Sequence, residues 1–202
     1  KTKAIVCVHN IGYPCDLKEL RKIAQTHNLA LIEDCAHALG ATYQQEYIGE
    51  KSYYACFSFA AVKHITTGDG GMLTTNSPNV FEAAHKRSWF GMDRSKRDPL
   101  TGIYTEDITE VGYKMRMNSF LAAIGKEQLR FVDGILATRR KKAKIYDQEL
   151  SRAKGVIPLQ YGADRKSSYF LYPIHVERRA QFVETMNQRG IEVIAQNFRN
   201  DR

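Results

Sequence analysis

Short, uninterrupted apolar runs, separated by turn residues, are the feature that most restricts how this chain can fold. The runs are "KAIVCV" (Lys3–Val8), "LALIED" (Leu29–Asp34), "ACFSF" (Ala55–Phe59) and "GMLTT" (Gly71–Thr75). Runs of this length without polar alternation are typical of strands buried on both faces. Between the first two runs, Asp16 and Glu19 fit a helix capping box. The apolar face of that helix is Leu17, Leu20, Ile23 and Ala24. Strands alternating with a helix predict an α/β domain with a largely parallel sheet.

The middle of the chain predicts helices and one exposed loop. A helix is expected at Val80–Trp89, and the polar stretch Gly91–Asp107 is expected to be a loop. A further helix begins at Asn118, is broken or kinked at Gly134, and continues to Leu150. The residues expected to face inward from it are Phe120, Leu121, Ile124 and Phe131.

Beyond Gly155 the predicted elements become shorter. "YFLYPIHV" (Tyr169–Val176) and "IEVIA" are predicted strands on either side of a helix, Arg179–Gly190. We therefore predict a large domain with its following helices at residues 1–153 and the beginning of a small α+β domain at residues 154–202. The chain enters a strand at once and does not begin with Met, so we expect it to be part of a longer protein.

Composition is typical of a soluble globular protein, and its positive net charge fits either a solvated basic surface or the binding of anions. The 202 residues are 43% hydrophobic and 26% charged, with a net charge of +8. No run of 18 apolar residues occurs, so no membrane span is predicted. The first residues lead directly into an apolar strand pattern, so no signal peptide is predicted either. Because the basic residues are spread along the chain, phosphates or nucleotides are favoured over nucleic acid. The densest basic cluster, "RRKKAK" (Arg139–Lys144), is predicted to be the solvated face of a helix.

Four cysteines bear on redox compartment and metal binding. Cys7, Cys15, Cys35 and Cys56 form no CxxC pair, and most of them lie in or beside apolar runs. We interpret them as buried free thiols of a protein in a reducing compartment, the cytoplasm. The spacing does not predict a metal site.

Chemistry-bearing residues follow two of the predicted strands. Asp34 ends one strand, Ser58 lies near the end of another, and Lys63 comes a few residues later. In open α/β sheets, ligands bind beyond the carboxyl ends of the strands, so the three are expected to converge. Taken alone, each residue also has a structural explanation. Asp34 could accept hydrogen bonds from a loop, Ser58 could be a packing residue of the strand, and Lys63 could be solvated. His37, considered alone, is interpreted as structural.

The position of the glycines after Lys63 excludes a nucleotide-binding P-loop. In "KHITTGDGG" the lysine precedes Gly68, Gly70 and Gly71, whereas a phosphate-binding P-loop has its lysine after the glycines. A lysine that attacks a carbonyl must first lose its proton, and burial favours the neutral amine. Pyridoxal phosphate uses such a lysine and also needs an acid at its ring nitrogen, which Asp34 supplies.

The sequence resembles the DegT/DnrJ/EryC1/StrS sugar aminotransferases, which are pyridoxal-phosphate enzymes. The matching stretches are "HNIGYPCDLKEL", "LIEDCAHALGATYQQEYIG", "CFSFAAVKHITTGDGG", "EVGYKMRMNSFLAAIGKEQL" and "GIEVIAQNFRND". They cover nearly the whole chain in the family's order, and the combination of "EDCAHA" with "FSF…K…GDGG" is highly specific. The resemblance implies fold type I, the aspartate-aminotransferase-like architecture, and a homodimer.

The same resemblance implies roles for five residues. Asp34 would pair with the pyridine nitrogen, His37 would lie against the cofactor ring, and Ser58 would hold the phosphate. Lys63 would bind the cofactor covalently and shuttle the proton. Lys114 stands where many relatives have an asparagine that reaches the neighbouring subunit's cofactor phosphate, and lysine could replace that contact as a point charge. The family's phosphate loop and the aromatic ring stacked on the cofactor belong to a segment that precedes these motifs.

The function implied is transfer of an amino group, from glutamate, to a keto-sugar linked to a nucleotide diphosphate. A related dehydrase branch has histidine at the position of the covalent lysine. Here position 63 is lysine, which favours the aminotransferase. A non-catalytic binding or regulatory protein on the same fold is the third alternative.

Overall fold

The computed structural model describes residues 1–104 and 107–195. Residues 105–106 of the predicted Gly91–Asp107 loop, and the last residues of the "GIEVIAQNFRND" motif, lie outside the described part. The strands are β1 (Ala4–Val8), β2 (Ala30–Asp34), β3 (Thr42–Tyr43), β4 (Glu46–Tyr47), β5 (Tyr54–Ser58), β6 (Gly71–Thr74), β7 (Val156–Pro158), β8 (Arg165–Lys166) and β9 (Ile174–Val176). The helices are α1 (Leu17–Thr26), α2 (Pro78–Arg87), α3 (Ser119–Leu129), α4 (Val132–Leu150) and α5 (Arg179–Gln188).

The main sheet has the strand order β1-β2-β5-β6. Its first three strands are parallel, and β6 runs antiparallel to β5. The prediction of a largely parallel sheet in an α/β domain is therefore confirmed. One face of this sheet is covered, because α1 packs Leu17 and Ala24 towards a buried cluster that includes Cys7, Cys35 and Ala55.

The prediction that these strands are buried on both faces is wrong for this chain by itself. Val6 and Val8 on β1 and Met72 on β6 are about half exposed. Ile23 of α1 is also exposed, although it was assigned to the inner face. The apolar runs are strands as expected, but only one side of the sheet meets other described residues.

Two details at the ends of α1 and α4 differ from expectation. Asp16 precedes α1 but makes no side-chain cap; its carboxylate instead accepts a hydrogen bond from Arg165 at 2.5 Å. Gly134 lies inside α4, and the helical stretch is interrupted earlier, at Arg130 and Phe131. Glycine lowers helix stability, but its cost is small enough for the flanking turns to override it.

The apolar side of α3 is not buried within the chain. Asn118 caps the helix, since its Oδ1 accepts a hydrogen bond from the Leu121 amide at 2.9 Å. However, Phe120 is 74% exposed and Phe131 is 58% exposed. Ile124 is exposed as well, so the inward orientation predicted for these three residues is wrong. No described element covers that side of the helix.

Two of the four cysteines are buried. Cys7 and Cys35 lie in the core, Cys15 is partly exposed, and Cys56 is exposed. The expectation of buried thiols is therefore wrong for Cys56, whose side of β5 is uncovered. All four are free thiols. None of the helices in the described ranges has both the length and the apolarity to cross a bilayer.

The last third of the chain contains less strand than predicted. Of Tyr169–Val176 only β9 is a strand, paired with β7, and residues 191–195 are not strand. The amides of Phe170 and Leu171 donate to the Ile11 carbonyl, at 3.0 and 3.5 Å, so this apolar segment follows a loop rather than a sheet.

Residues 165–171 are joined to the first half of the chain. β8 pairs with β3. The Ser168 amide and the Ser167 hydroxyl both donate to the Gly12 carbonyl, at 3.1 and 2.9 Å. Gly12 has φ +90°, and a Cβ there would lie 2.6 Å from the Ser168 hydroxyl, so only glycine fits this crossing. The division at residue 153 stays a prediction, and β8 lies beyond it.

Candidate active site

Asp34 lies at the carboxyl end of β2, opposite Val8 of β1 and Cys56 of β5. Its Oδ1 accepts a hydrogen bond from the Ala36 amide at 3.0 Å, which fixes the carboxylate at the edge of the sheet. The side chain is half-buried. An acid held in this way is available to a ligand beyond the strand ends.

Ser58 ends the neighbouring strand, β5, where it pairs with Gly71 of β6. Its Oγ accepts a hydrogen bond from the Ala60 amide at 3.3 Å. The hydroxyl proton is not used in that bond. Ser58 can therefore donate to an anionic oxygen at this edge.

Lys63 lies on the loop between β5 and β6. The loop is a tight one, since the Lys63 amide donates to the Ala60 carbonyl at 3.0 Å and the Thr67 amide donates to the Phe59 carbonyl at 3.0 Å. The Lys63 Nζ lies 4.7 Å from the centre of the Phe170 ring. Among the described residues it forms no salt bridge, so the half-buried amine is free of a carboxylate.

His37 joins Asp34 and Lys63 in one group. Its Nδ1 accepts a hydrogen bond from the Ile11 amide at 3.3 Å, and its ring is stacked on Phe170 with the centres 4.0 Å apart. Burial lowers the pKa of His37, nearby Lys63 lowers it further, and Asp34 opposes the shift. The neutral ring is therefore favoured.

His64 follows Lys63 but faces a different environment. It is buried, and its Nε2 donates to the Ser168 carbonyl at 3.0 Å. Its Nδ1 has no partner within the part of the chain that the structure describes. Burial lowers the pKa of His64 to about 4, so the ring is neutral near pH 7.

A buried hydrogen-bonded pair, His9 and Glu33, lies directly behind Asp34. The His9 Nε2 donates to one oxygen of Glu33 at 3.2 Å, and Ser52 donates to the other at 2.5 Å. The His9 Nδ1 accepts from the Cys15 amide at 3.0 Å. His9, Glu33 and Cys35 bring possible ligand atoms within 4.8 Å of one another, but the histidine and carboxylate atoms already have protein partners. We assign this group a structural role at the end of β2.

The structure brings Asp34, His37 and Lys63 together and puts Ser58 on the adjoining strand. Lys114 is exposed and pairs through its backbone with Trp89. No contact among the described residues joins Lys114 to the other four. Sequence reasoning missed Phe170 and Ile11, which contact His37; the only signal was the glycine after Ile11 in "NIGYP".

Comparison with known proteins supports the resemblance on which the site was predicted. The family model of the DegT/DnrJ/EryC1/StrS aminotransferase family matches residues 1–197. The uncharacterized protein MJ1066 from Methanocaldococcus jannaschii is 38% identical over 95% of this chain and 52% of its own length. GDP-perosamine synthase from Escherichia coli O157:H7 is 37% identical over 75% of this chain and 39% of its own. The chain thus spans about half the length of the curated relatives it matches.

The fold agrees with solved structures. AtS13 from Actinomadura melliaura superposes with a TM-score of 0.91 at 39% identity, over 100% of this chain and 55% of that one. Such neighbours have the fold type I architecture of pyridoxal-phosphate enzymes. The family's enzymes depend on pyridoxal phosphate, and its solved structures include a pyridoxal-phosphate form. On sequence and on fold, the chain belongs to the DegT/DnrJ/EryC1/StrS aminotransferase family.

Proposed function

We propose that this chain forms the catalytic part of a sugar aminotransferase. It would transfer an amino group from glutamate to a keto-sugar linked to a nucleotide diphosphate, as a homodimer in the cytoplasm. The observation that carries the proposal is the Lys63 amine, which lies free of any described carboxylate and in one group with Asp34 and His37. The names of relatives such as GDP-perosamine synthase support a nucleotide-sugar substrate.

The residues present fit pyridoxal phosphate. When bound, this cofactor supplies an electron-withdrawing ring that stabilises negative charge on the carbon bearing the amino group. Asp34 would keep a proton on the ring nitrogen, and the Ser58 hydroxyl would donate to the phosphate. The amine of Lys63 would hold the cofactor covalently until the amino group of the donor takes its place, and the released amine would then move the proton between carbon atoms. His37 would lie against the ring.

The assignments of Lys63 and Lys114 are supported by the burial or exposure of side chains. Lys63 is favoured over a dehydrase-like histidine because the neighbouring His64 is buried and bonded to Ser168. Lys114 would reach the cofactor phosphate of the partner subunit, and its exposure supports that role. A lysine there would act as a charge rather than as a planar hydrogen-bonding group.

The test is amino transfer by the full-length protein. It would be incubated with pyridoxal phosphate, glutamate and a panel of nucleotide-linked keto-sugars, and the amino product measured by mass spectrometry. Borohydride reduction should attach the cofactor to the peptide containing Lys63.

Lys63→Arg should abolish transfer, because arginine stays protonated and cannot form the covalent link. Lys126→Arg, on α3, is the matched control. Near-normal turnover by Lys63→Arg would overturn the assignment of Lys63. A protein without visible cofactor absorbance or amino product would instead support a binding protein.

A further inference from the structure

We propose that Phe170 is a positioning residue, which Ile11 holds flat against His37 so that the stack fixes the His37 ring beside Lys63. The inference deepens the proposed function and rests on it for the catalytic consequence. The arrangement of Phe170 and Ile11 is a property of this chain's own residues, and it can be tested without any transfer reaction.

The first observation is the stack itself. The rings of His37 and Phe170 have centres 4.0 Å apart and planes inclined by only 9°. Parallel rings this close restrict rotation of the imidazole about its last side-chain bond. The Lys63 Nζ is 4.7 Å from the centre of the same phenyl ring, a distance at which a cation and an aromatic ring attract. One side chain therefore contacts both basic groups of the site.

The second observation is that a single residue holds both members of the stack. The Ile11 amide donates to His37 Nδ1 at 3.3 Å, in a hydrogen bond that it shares with Asn10 Oδ1 at 3.0 Å, and the Ile11 carbonyl accepts from the Phe170 amide at 3.0 Å. Since Nδ1 accepts, the neutral imidazole carries its proton on Nε2. The N–H of Ile11 therefore selects the tautomer of His37, and the C=O of the same residue holds the backbone of Phe170.

The third observation is the backbone of Ile11. Its φ of 53° and ψ of 11° lie in the left-handed region, which a β-branched residue adopts only at a cost. The side chain is buried, so packing maintains the conformation. Backbone strain of this kind persists where the surroundings over-determine it, and it is concentrated at functional sites.

The other side of the stack is also fixed. The Arg139 Nη1 of α4 donates to the carbonyls of Tyr169 and Phe170, at 3.0 and 3.1 Å. The Ser168 hydroxyl donates to the His37 carbonyl at 2.9 Å. Backbone contacts therefore hold Phe170 from two directions, so the ring has little freedom to leave His37.

The test replaces the ring and observes His37 directly. The charged and titratable groups near His37 are Asp34, Lys63 and His64, all unchanged in Phe170→Leu. Removing the ring exposes the imidazole, and since burial lowers the pKa of His37, we expect that pKa to rise. The measurement is an NMR titration of isotope-labelled histidine, with the His37 signal assigned through His37→Gln.

Activity gives the second readout. With the full-length enzyme, Phe170→Leu should lower kcat by about ten- to a hundredfold with KM nearly unchanged, because misplacement of a catalytic constellation affects the reaction step. Phe170→Tyr keeps the flat ring and should restore both the titration and kcat. If Phe170→Leu fails to fold, Phe170→Met preserves apolar volume and serves the same comparison.

The matched control is Phe81→Leu, because Phe81 packs against His85 with ring centres 5.5 Å apart, on α2. It should leave the His37 titration and kcat unchanged. An unaltered His37 titration in a folded Phe170→Leu protein would overturn the positioning role. If His37 shifts but no keto-sugar is aminated by the unmodified enzyme, the proposed function fails while the positioning role of Phe170 stands.

Discussion

The predicted role of Asp34 depends on its negative charge, so removing that charge should lower kcat/KM. Asp34→Asn keeps the shape of the side chain but removes the negative charge proposed to face the cofactor nitrogen. Breaking a buried charge pair costs about 3–5 kcal/mol, so kcat/KM should fall by about two to four decades. Steady-state kinetics would measure the fall. Asp133→Asn, exposed on α4, is the control, and a loss below about tenfold would mean that another group holds the nitrogen.

His64 should make the stability of the protein depend on pH. Burial lowers its pKa to about 4 in the folded state, against 6.5 ordinarily. As pH falls from 6.5 to 4, His64 becomes protonated in the unfolded chain but stays neutral in the folded protein. The free energy of unfolding therefore decreases. The loss attributable to His64 reaches about 3 kcal/mol and does not grow below pH 4.

Denaturant unfolding at several pH values would measure this loss. His64→Gln retains a donor for the Ser168 carbonyl but cannot titrate, so its stability should change less over this window. The exposed His27→Gln serves as control and should follow the unmodified protein. Parallel curves for His64→Gln and the unmodified protein would contradict the prediction.

At the scale of elements, α4 is tied to its neighbours by arginines that were expected to be solvated. Arg140 donates to the Ser167 carbonyl at 3.1 Å and to the Gly40 carbonyl at 2.8 Å. Only the lysines of "RRKKAK" are exposed. Arg140→Met should therefore destabilise the fold by about 2–4 kcal/mol, since two charge-assisted hydrogen bonds are lost.

Chemical denaturation would measure the cost of Arg140→Met. Lys141→Met changes the same charge on the exposed side of the helix and should alter stability by no more than about 0.5 kcal/mol. Equal effects of the two substitutions would show that the carbonyl contacts of Arg140 contribute nothing.

The elements that the sequence predicted correctly are those with a local cause. The runs that became β1, β2, β5 and β6 are short, apolar and bounded by turn residues, and α3 begins after Asn118 as expected. The incorrect predictions concern segments whose hydrogen-bond partners are distant in sequence, which composition does not reveal. Tyr169–Leu171 have strand-like side chains, but their amides bond to a loop, and Pro173 has no amide to donate.

In the candidate site too, some residues could be predicted from the sequence and others could not. Asp34 and Ser58 could be placed because the carboxyl ends of parallel strands meet at one edge, and the grouping of Asp34, His37 and Lys63 agrees with that rule. Their chemical roles stay predictions. Phe170 could not be predicted, because its contact with His37 depends on the hydrogen bonds of Ile11, and the glycine after Ile11 indicates a turn but not which residues pack against it.

At the scale of the whole molecule, the chain exposes more surface than a compact monomer. Its accessible surface is 14664 Å², whereas a folded monomer of 23.0 kDa exposes about 9,600 Å². The exposed apolar residues include Phe120 in α3 and Phe131, which lies between α3 and α4. We therefore expect the 202-residue chain, expressed by itself, to self-associate.

Sedimentation velocity over a range of concentrations would measure this association. Phe120→Asp should weaken it, because the substitution puts a charge on the exposed apolar surface. Lys142→Asp changes charge at an exposed site on α4 and should have less effect. A single monomeric species at all concentrations would contradict the expectation.

The crossing of residues 165–171 over the first half of the chain limits how the molecule can move. These residues are bonded to β3, Gly12 and Ile11, and Arg139 and Arg140 hold them from α4. Any rotation of the later elements about the earlier ones must leave those bonds intact or break them together. Any motion that leaves these hydrogen bonds intact must therefore carry Phe170 along with the sheet that holds Asp34.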